Sequence, residues 1–227
     1  MPQEEVRLKQ LLRVFLSKNR QLNLSAFRQE EQCWIGNILD ALAFTDIAPS
    51  LLGENWREQK LTIADVGTGG GFPLLPLAIV LPASRFIGID AVRKKIEAVK
   101  EMVGELELSN VELLCARAEE AGRQLALRGK CDLVLSRAVA PVAVLLEYAM
   151  PLLKIRGRAV FWKSVHIADE LTQSTAAHTV LAAHLSDRYT YTLPKGWGER
   201  QLIVFTKQQP TADEYPRRPG MPKQRPL

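Results

Sequence analysis

The sequence predicts an α/β fold, a mostly parallel seven-stranded sheet with helices on both faces, preceded by N-terminal helices. Three observations predict it. From Leu61 onward, short apolar runs of strand length alternate with segments of helix length, a pattern that needs crossover connections. Four glycines (Gly67, Gly69, Gly70 and Gly71) fall between the first run and the first helix of that series. The last two runs are separated only by "PKGWGE", which suits an antiparallel edge.

The elements follow in order. "EEVRLKQLLRVFLSKNRQLN" carries apolar residues at helical spacing, from Val6 through Leu16. "NLSAFRQEEQ" reads as a cap region, with Ser25 as the candidate cap. "CWIGNILDALAFTDIAPSLL" continues as a second amphipathic helix. "LTIADV", "RFIGID", "VELLCA", "CDLVLSRA" and "GRAVFWK" read as five buried strands. Between them, "PLLPLAIVLP", "AVRKKIEAVKEMVGELEL" and "VAVLLEYAMPLLK" read as helices, with Pro151 expected to end the last. "HIADELTQSTAAHTVLAAH" reads as one further helix, and "RYTYTL" and "RQLIVFTK" as the closing strands. Residues 209–227 are rich in proline and charge and are expected not to pack as an element. Three regions result: a helical segment over 1–60, a Rossmann-like domain over 61–208, and a basic tail over 209–227.

Composition excludes several classes. The chain is 47% hydrophobic and 24% charged, as in an ordinary globular protein. Its start, "MPQEEVRLKQ", has no apolar run, so no secretory signal is expected, and no apolar stretch reaches about 18 unbroken residues. Cys33, Cys115 and Cys131 are odd in number and widely spaced, which fits reduced thiols and no metal site. These features point to a cytoplasmic monomer without a membrane anchor. The net charge of +5 permits a polyanionic partner without requiring one.

The glycine cluster lies where open α/β sheets bind ligands, at the carboxyl end of the first strand. Gly67, Gly69 and Gly71 are spaced G-x-G-x-G, and Phe72 stands where a dinucleotide fingerprint has its last glycine. No Walker lysine follows, so a phosphate loop is excluded. The first strand ends near Asp65 and the second at Asp90, about where a ribose diol needs an acceptor pair.

This combination resembles the class I S-adenosylmethionine-dependent methyltransferases. "NLSAF", "ILDAL", "IADVGTGGGFPLLPLAI", "RAEE", "LSRAVA", "GER" and "YPRRPGMPKQRPL" recur in the order of the GidB/RsmG-type ribosomal RNA methyltransferases, from about Asn23 to Leu227. The resemblance implies methyl transfer from S-adenosylmethionine to N7 of a guanine in 16S ribosomal RNA, free or within the small subunit. It implies cofactor contacts from Asp65, Gly67, Gly69, Gly71, Phe72 and the ribose-binding Asp90. Ala118 and Glu119 fall where the family holds adenine through backbone groups. Arg137, in "SRA", falls at the reaction site, as a catalytic and cofactor-binding residue. Where the family often has Arg-His before Ile-Leu-Asp-Ser, this chain has Gly36 and Asn37, with Ala41 for the serine; Lys163–Ser164 replaces the family's Lys-Gly.

Guanine N7 has a free lone pair, so attack on a sulfonium methyl needs no general base. His166, His178 and His184 lie away from the expected strand ends and fit surface or core roles. Arg93, Lys94, Lys95 and Lys100 on the helix after Asp90, and Arg217, Arg218, Lys223 and Arg225 in the tail, are the candidate RNA contacts. Trp197 and Arg200 either stack a base or pack. A methyltransferase of another substrate, and a non-catalytic RNA-binding protein of the same fold, stay open. The glycine spacing disfavours an NAD-dependent oxidoreductase, and the (N/D/S)-P-P-(Y/F/W) motif of DNA amino-methylating enzymes is absent.

Overall fold

The computed structural model describes residues 2–227. Seven strands form one sheet: β1 Thr62–Val66, β2 Arg85–Asp90, β3 Val111–Cys115, β4 Cys131–Arg137, β5 Leu153–Ser164, β6 Ala183–Leu193 and β7 Gly198–Lys207. Their spatial order is β3-β2-β1-β4-β5-β7-β6. Pairings among β1 to β5 are parallel, and β7 pairs antiparallel with both β5 and β6. The chain reverses its direction of travel across the sheet between β1 and β4, which makes a crevice at their carboxyl ends.

Side chains alternate between two cores. Ile63, Leu133 and Leu135 face one layer, and Ala64, Val66 and Val134 face the other. The first layer is covered by α1 Pro2–Leu22, α5 Leu74–Val80 and α6 Arg93–Glu105. In α1 the buried residues Leu8, Leu11, Leu12 and Phe15 recur at helical spacing and form the stripe that packs on the sheet layer. The opposite layer is covered by α8 Val142–Ala149, which is buried on every residue, with α9 Ala168–Gln173 and α10 Thr175–Val180.

The second N-terminal helix is a composite: α2 Glu30–Cys33, a π-helical stretch Trp34–Leu39, α3 Asp40–Leu42 and α4 Phe44–Leu52. The run Glu30–Leu52 has 23 residues and holds an 18-residue window of mean hydropathy 1.3, long and apolar enough to cross a membrane by length and composition. That apolarity is spent in the core, where Cys33, Ile35, Ile38, Phe44 and Ile47 are buried. Gln29, not Ser25, precedes α2; the Ser25 hydroxyl instead accepts the Phe27 amide at 3.2 Å.

Three expectations are corrected. The single helix over 166–184 is two, because the Ser174 hydroxyl turns back to the Leu171 carbonyl at 2.7 Å and opens the ladder. His184 then belongs to β6. The tail does pack: Tyr215 and Leu227 lie against the second core and Pro222 is buried, with a short helix α11 at Met221–Gln224. The remaining short helix, α7 Ala118–Ala121, follows β3.

Candidate active site

The glycine loop leaves β1 and is tied to β2. The amides of Gly67 and Thr68 both donate to the Ile89 carbonyl, at 2.8 and 3.0 Å. Gly67 has φ +77°, and a Cβ there would stand 2.3 Å from Val139. Gly71 has φ +92°, and a Cβ there would meet Leu75 at 2.7 Å. Both positions therefore need glycine for backbone and for space.

Beside this loop is a recess of about 420 Å³ at the carboxyl ends of β1, β2 and β4. Asp90 stands on one wall. Its Oδ2 accepts the Gly69 amide at 2.9 Å and its Oδ1 accepts the Val92 amide at 2.8 Å. Two amides thus fix the carboxylate plane, and each oxygen keeps acceptor capacity for a further donor. Ala118 and Glu119, at the start of α7, line the far end. Glu119 is buried and its Oε1 accepts the Gly220 amide at 2.8 Å. Tyr148 lines the same end, and its hydroxyl is pushed well above the usual phenol range by burial and by the Glu119 charge.

A second recess, of about 630 Å³, adjoins the first. Ser25, Asn37, Arg137, Ala138 and Val139 line both. Its outer walls are aromatic, from Phe27, Trp162, Tyr191 and Trp197. Phe27 and Trp197 meet edge to face, with ring centroids 5.0 Å apart. The Trp197 loop is held by an ion pair between Lys195 and Glu31.

Arg137 sits between the recesses at the end of β4. Its Nη1 donates to the Gly36 carbonyl at 2.7 Å and to Asp40 Oδ2 at 2.6 Å, and its Nη2 donates to Asn37 Oδ1 at 2.9 Å. Asp40 Oδ1 in turn accepts the Tyr191 hydroxyl at 2.5 Å, and its carbonyl accepts Trp162 Nε1 at 2.7 Å. Burial, then the Asp40 charge, raise the Tyr191 hydroxyl far above the usual phenol range, so it stays a proton donor. All three Arg137 partners lie in or just after the π-helical stretch, a deviation common at functional sites.

Under the loop lies Asp65, with 0% exposure. Neither of its oxygens, nor the Thr68 hydroxyl, has a hydrogen-bond partner among the described residues. Burial lifts its pKa to about 7. Thr68, Arg137 and the Leu74 amide partly oppose the rise, and Asp90 adds to it.

A family model for rRNA small subunit methyltransferase G, GidB, matches residues 4–195. The chain belongs to the GidB family. Curated members named ribosomal RNA small subunit methyltransferase G are similar over nearly the whole length. The protein of Deinococcus radiodurans is 39% identical over 226 residues, covering 100% of this chain and 86% of that one. That of Carboxydothermus hydrogenoformans is 38% identical over 218 residues, covering 95% and 88%. That of Synechococcus elongatus is 37% identical over 226 residues, covering 100% and 91%. Solved structures share the fold. TYW2 of M. jannaschii, in complex with AdoMet, superposes with a TM-score of 0.56 at 18% identity, over 75% of this chain and 74% of that one. A SAM-dependent methyltransferase from Aquifex aeolicus gives 0.55 at 14% identity, over 77% and 93%.

Of the GidB-derived site residues, Gly67, Gly69, Phe72, Asp90, Ala118, Glu119 and Arg137 line the first recess together. Asp65 and Gly71 do not; Asp65 is buried beneath the loop, and Gly71 closes the loop against Leu75. Arg137 lines both recesses and is also a partly buried salt-bridge partner, with 17% side-chain exposure. Sequence reasoning does not reach Asp40 as the partner of Arg137, nor Tyr191 and Trp162 as the partners of Asp40. The Asp in "ILDAL" was the available signal for Asp40, but nothing local marks the two aromatics. Of the basic residues expected to reach RNA, Arg217 is paired with Glu147, while Lys95 and Lys223 line the first recess. His178 Nε2 is satisfied by the Ser174 hydroxyl at 2.9 Å.

Proposed function

We propose that this chain transfers a methyl group from S-adenosylmethionine to N7 of a guanine in 16S ribosomal RNA, acting in the cytoplasm. The observation that carries the reading is the pair of adjoining recesses that meet at Arg137. One has a fixed carboxylate beside a glycine loop, and the other has aromatic walls.

The first recess fits the cofactor. Asp90 offers two preset acceptor oxygens, which suits a ribose diol. Gly67, Gly69 and Phe72 line its loop side, Ala118 and Glu119 the adenine end, and Arg137 the end toward the second recess. When bound, S-adenosylmethionine would supply an electrophilic methyl: N7 would form the new C–N bond as the C–S bond breaks, its electron pair leaving with the neutral thioether.

The second recess suits an unstacked base, because RNA bases splayed from single strands stack on aromatic side chains. N7 needs no deprotonation, so the chain's task is alignment and exclusion of water. Alignment alone is worth up to about 7–11 kcal/mol in ideal intramolecular cases. The Gly36, Asn37 and Asp40 bonds fix the Arg137 fork at the boundary and so keep the two recesses in register. Methylation leaves positive charge on the base, which the negative faces of Trp162 and Trp197 favour.

The test combines the protein, labelled S-adenosylmethionine, and small ribosomal subunits or naked 16S RNA lacking the modification. Digestion and mass spectrometry then identify the labelled nucleoside. Labelled 7-methylguanosine is expected. Label in another nucleoside, or none with cofactor still bound, overturns the reading.

A further inference from the structure

Residues 211–227 form a strap that crosses the chain from the foot of β4 to the first recess. At its start, Arg128 Nη2 donates to the carbonyls of Thr211 and Ala212, each at 3.0 Å, and Nη1 donates to that of Tyr215 at 2.7 Å. Arg123 Nη2 donates to the Glu214 carbonyl at 3.0 Å. Next, Arg217 clasps Glu147 on α8. Its Nε donates to Oε1 at 2.9 Å, its Nη2 to Oε2 at 2.6 Å, and its backbone amide to Oε1 at 2.8 Å. With a further Nε bond to Oε2 at 3.1 Å and the Glu147 side chain 1% exposed, this is a desolvated, four-bond clasp. Then the Gly220 amide meets the Glu119 carboxylate. In the short helix α11 that follows, Lys223 stands on the wall of the first recess with its side chain exposed.

The geometry points to the strap as the adenosine-side wall of that recess, with Lys223 as a positioning residue for the adenosine half of the cofactor. Gly220 is bonded to Glu119 at the adenine end, and Lys223 follows it by three residues, about one helical turn or ~5 Å of rise. The strap also occupies the Glu119 carboxylate. The adenine end is therefore lined by a carboxylate that is already bonded, and the strap adds the exposed Lys223 ammonium to a wall that also carries Arg117, as a donor for adenosine acceptors. The clasp at Arg217 holds the strap in place from a distance. This inference rests on the reading that the recess holds S-adenosylmethionine.

Calorimetric affinities for S-adenosylmethionine and S-adenosylhomocysteine, measured on the full chain, test it. They share the adenosine half and differ at sulfur. Lys223→Ala is expected to weaken both equally, by about five- to tenfold, the worth of one hydrogen bond, and Lys223→Arg to restore most of the loss. Arg217→Met should weaken both further, and bound cofactor should slow tryptic cleavage after Lys223 in the unaltered chain. Unchanged affinities in Lys223→Ala and Lys223→Glu, both exposed substitutions that leave the fold intact, overturn the inference. So does a loss confined to S-adenosylmethionine. An unaltered chain that binds neither ligand overturns the cofactor reading and the strap's role with it.

Discussion

Arg137 Nη1 and Asp40 Oδ2 meet at 2.6 Å across 97 residues of sequence, and this pair joins the N-terminal helices to the end of β4. Asp40 is 10% and Arg137 17% exposed at the side chain. Removing either partner leaves a buried charge without its counter-ion, at a cost of about 3 kcal/mol. Asp40→Ala and Arg137→Ala should therefore each lower the unfolding free energy by about that amount. The double variant should lose less than the sum, because the second deletion removes the charge that the first left unpaired. Additive losses in denaturant melts would count against the coupling. Arg137→Lys should keep the charge but not the fork to Gly36, Asn37 and Asp40, and so fold while transferring methyl slowly.

The Gly67 loop makes a sharper comparison. Gly53 also has a positive φ, +89°, but open space where a Cβ would lie. Gly53, with ψ 167°, sits in a region adopted almost only by glycine, so Gly53→Ala should cost about 1–3 kcal/mol of backbone strain and leave cofactor affinity alone. Gly67→Ala adds a collision with Val139, a residue shared by both recesses, and should cost more stability and most of the cofactor affinity. Adding Val139→Ala should recover part of the stability. Equal behaviour of the two alanine variants in melts and calorimetry would show that the loop has slack.

How much of this was legible beforehand follows from range. Strands β1 to β4 are short apolar runs, with Gly67 closing β1, Arg85 and Asp90 bounding β2, and Lys130 and Arg137 bounding β4, so they read locally. The glycine loop and Asp90 read because their spacing reports one local backbone geometry. Arg137 reads as a strand-end residue, but its partners do not read locally, since Gly36, Asn37 and Asp40 lie 101, 100 and 97 residues away. The tail misled for the same reason. Its prolines and charges look unpackable until Glu147, buried inside an apolar helix, is seen to need Arg217. Strand β5 begins at Leu153, where the sequence pointed to Gly157, because pairing of Cys131 with Leu153 across a bulge extends it.

Asp65 gives the fold a pH dependence whose sign is fixed by burial. The native carboxyl keeps its proton up to about pH 7, whereas the unfolded chain releases it near pH 4. Below about pH 4 both states are protonated and the group contributes nothing. As pH rises from about 4 to 7 only the unfolded state ionises, so stability falls, by a total on the order of 4 kcal/mol, and then levels off. Asp65→Asn is neutral throughout and should flatten the midpoint-versus-pH curve over that window, gaining on the unaltered chain at pH 8. Parallel curves would mean that an unseen partner satisfies the carboxylate.

Asp90 tests the cofactor side directly. Both its oxygens accept amides, from Gly69 and Val92. Asparagine can satisfy only one of them and must turn an NH2 group toward the other. Asp90→Asn should therefore loosen the loop and remove a charged acceptor at once. Hydrogen bonds to a charged group are worth about 1.5–3 kcal/mol each, so the loss for a diol is roughly a hundredfold in affinity or more. A change under threefold in calorimetry would move the ribose elsewhere in the recess.

Trp197 separates the two recesses functionally, because it lines only the second. Its ring is braced by Phe27, and a Cβ on Gly36 would stand 2.6 Å from it and 2.4 Å from Phe27. The glycine at position 36 is thus what lets the two rings close over the base side. Stacking a base on an aromatic ring is worth about 1–3 kcal/mol, so Trp197→Ala should raise the KM for RNA by about tenfold or more. Affinity for S-adenosylmethionine should not change, and Trp197→Phe should recover most of the RNA term. Gly36→Ala should behave like a weaker Trp197→Ala, by displacing the same ring. If Trp197→Ala instead weakens cofactor binding and spares the KM for RNA, the assignment of base to the second recess is wrong, and the aromatic wall serves only to pack the N-terminal helices.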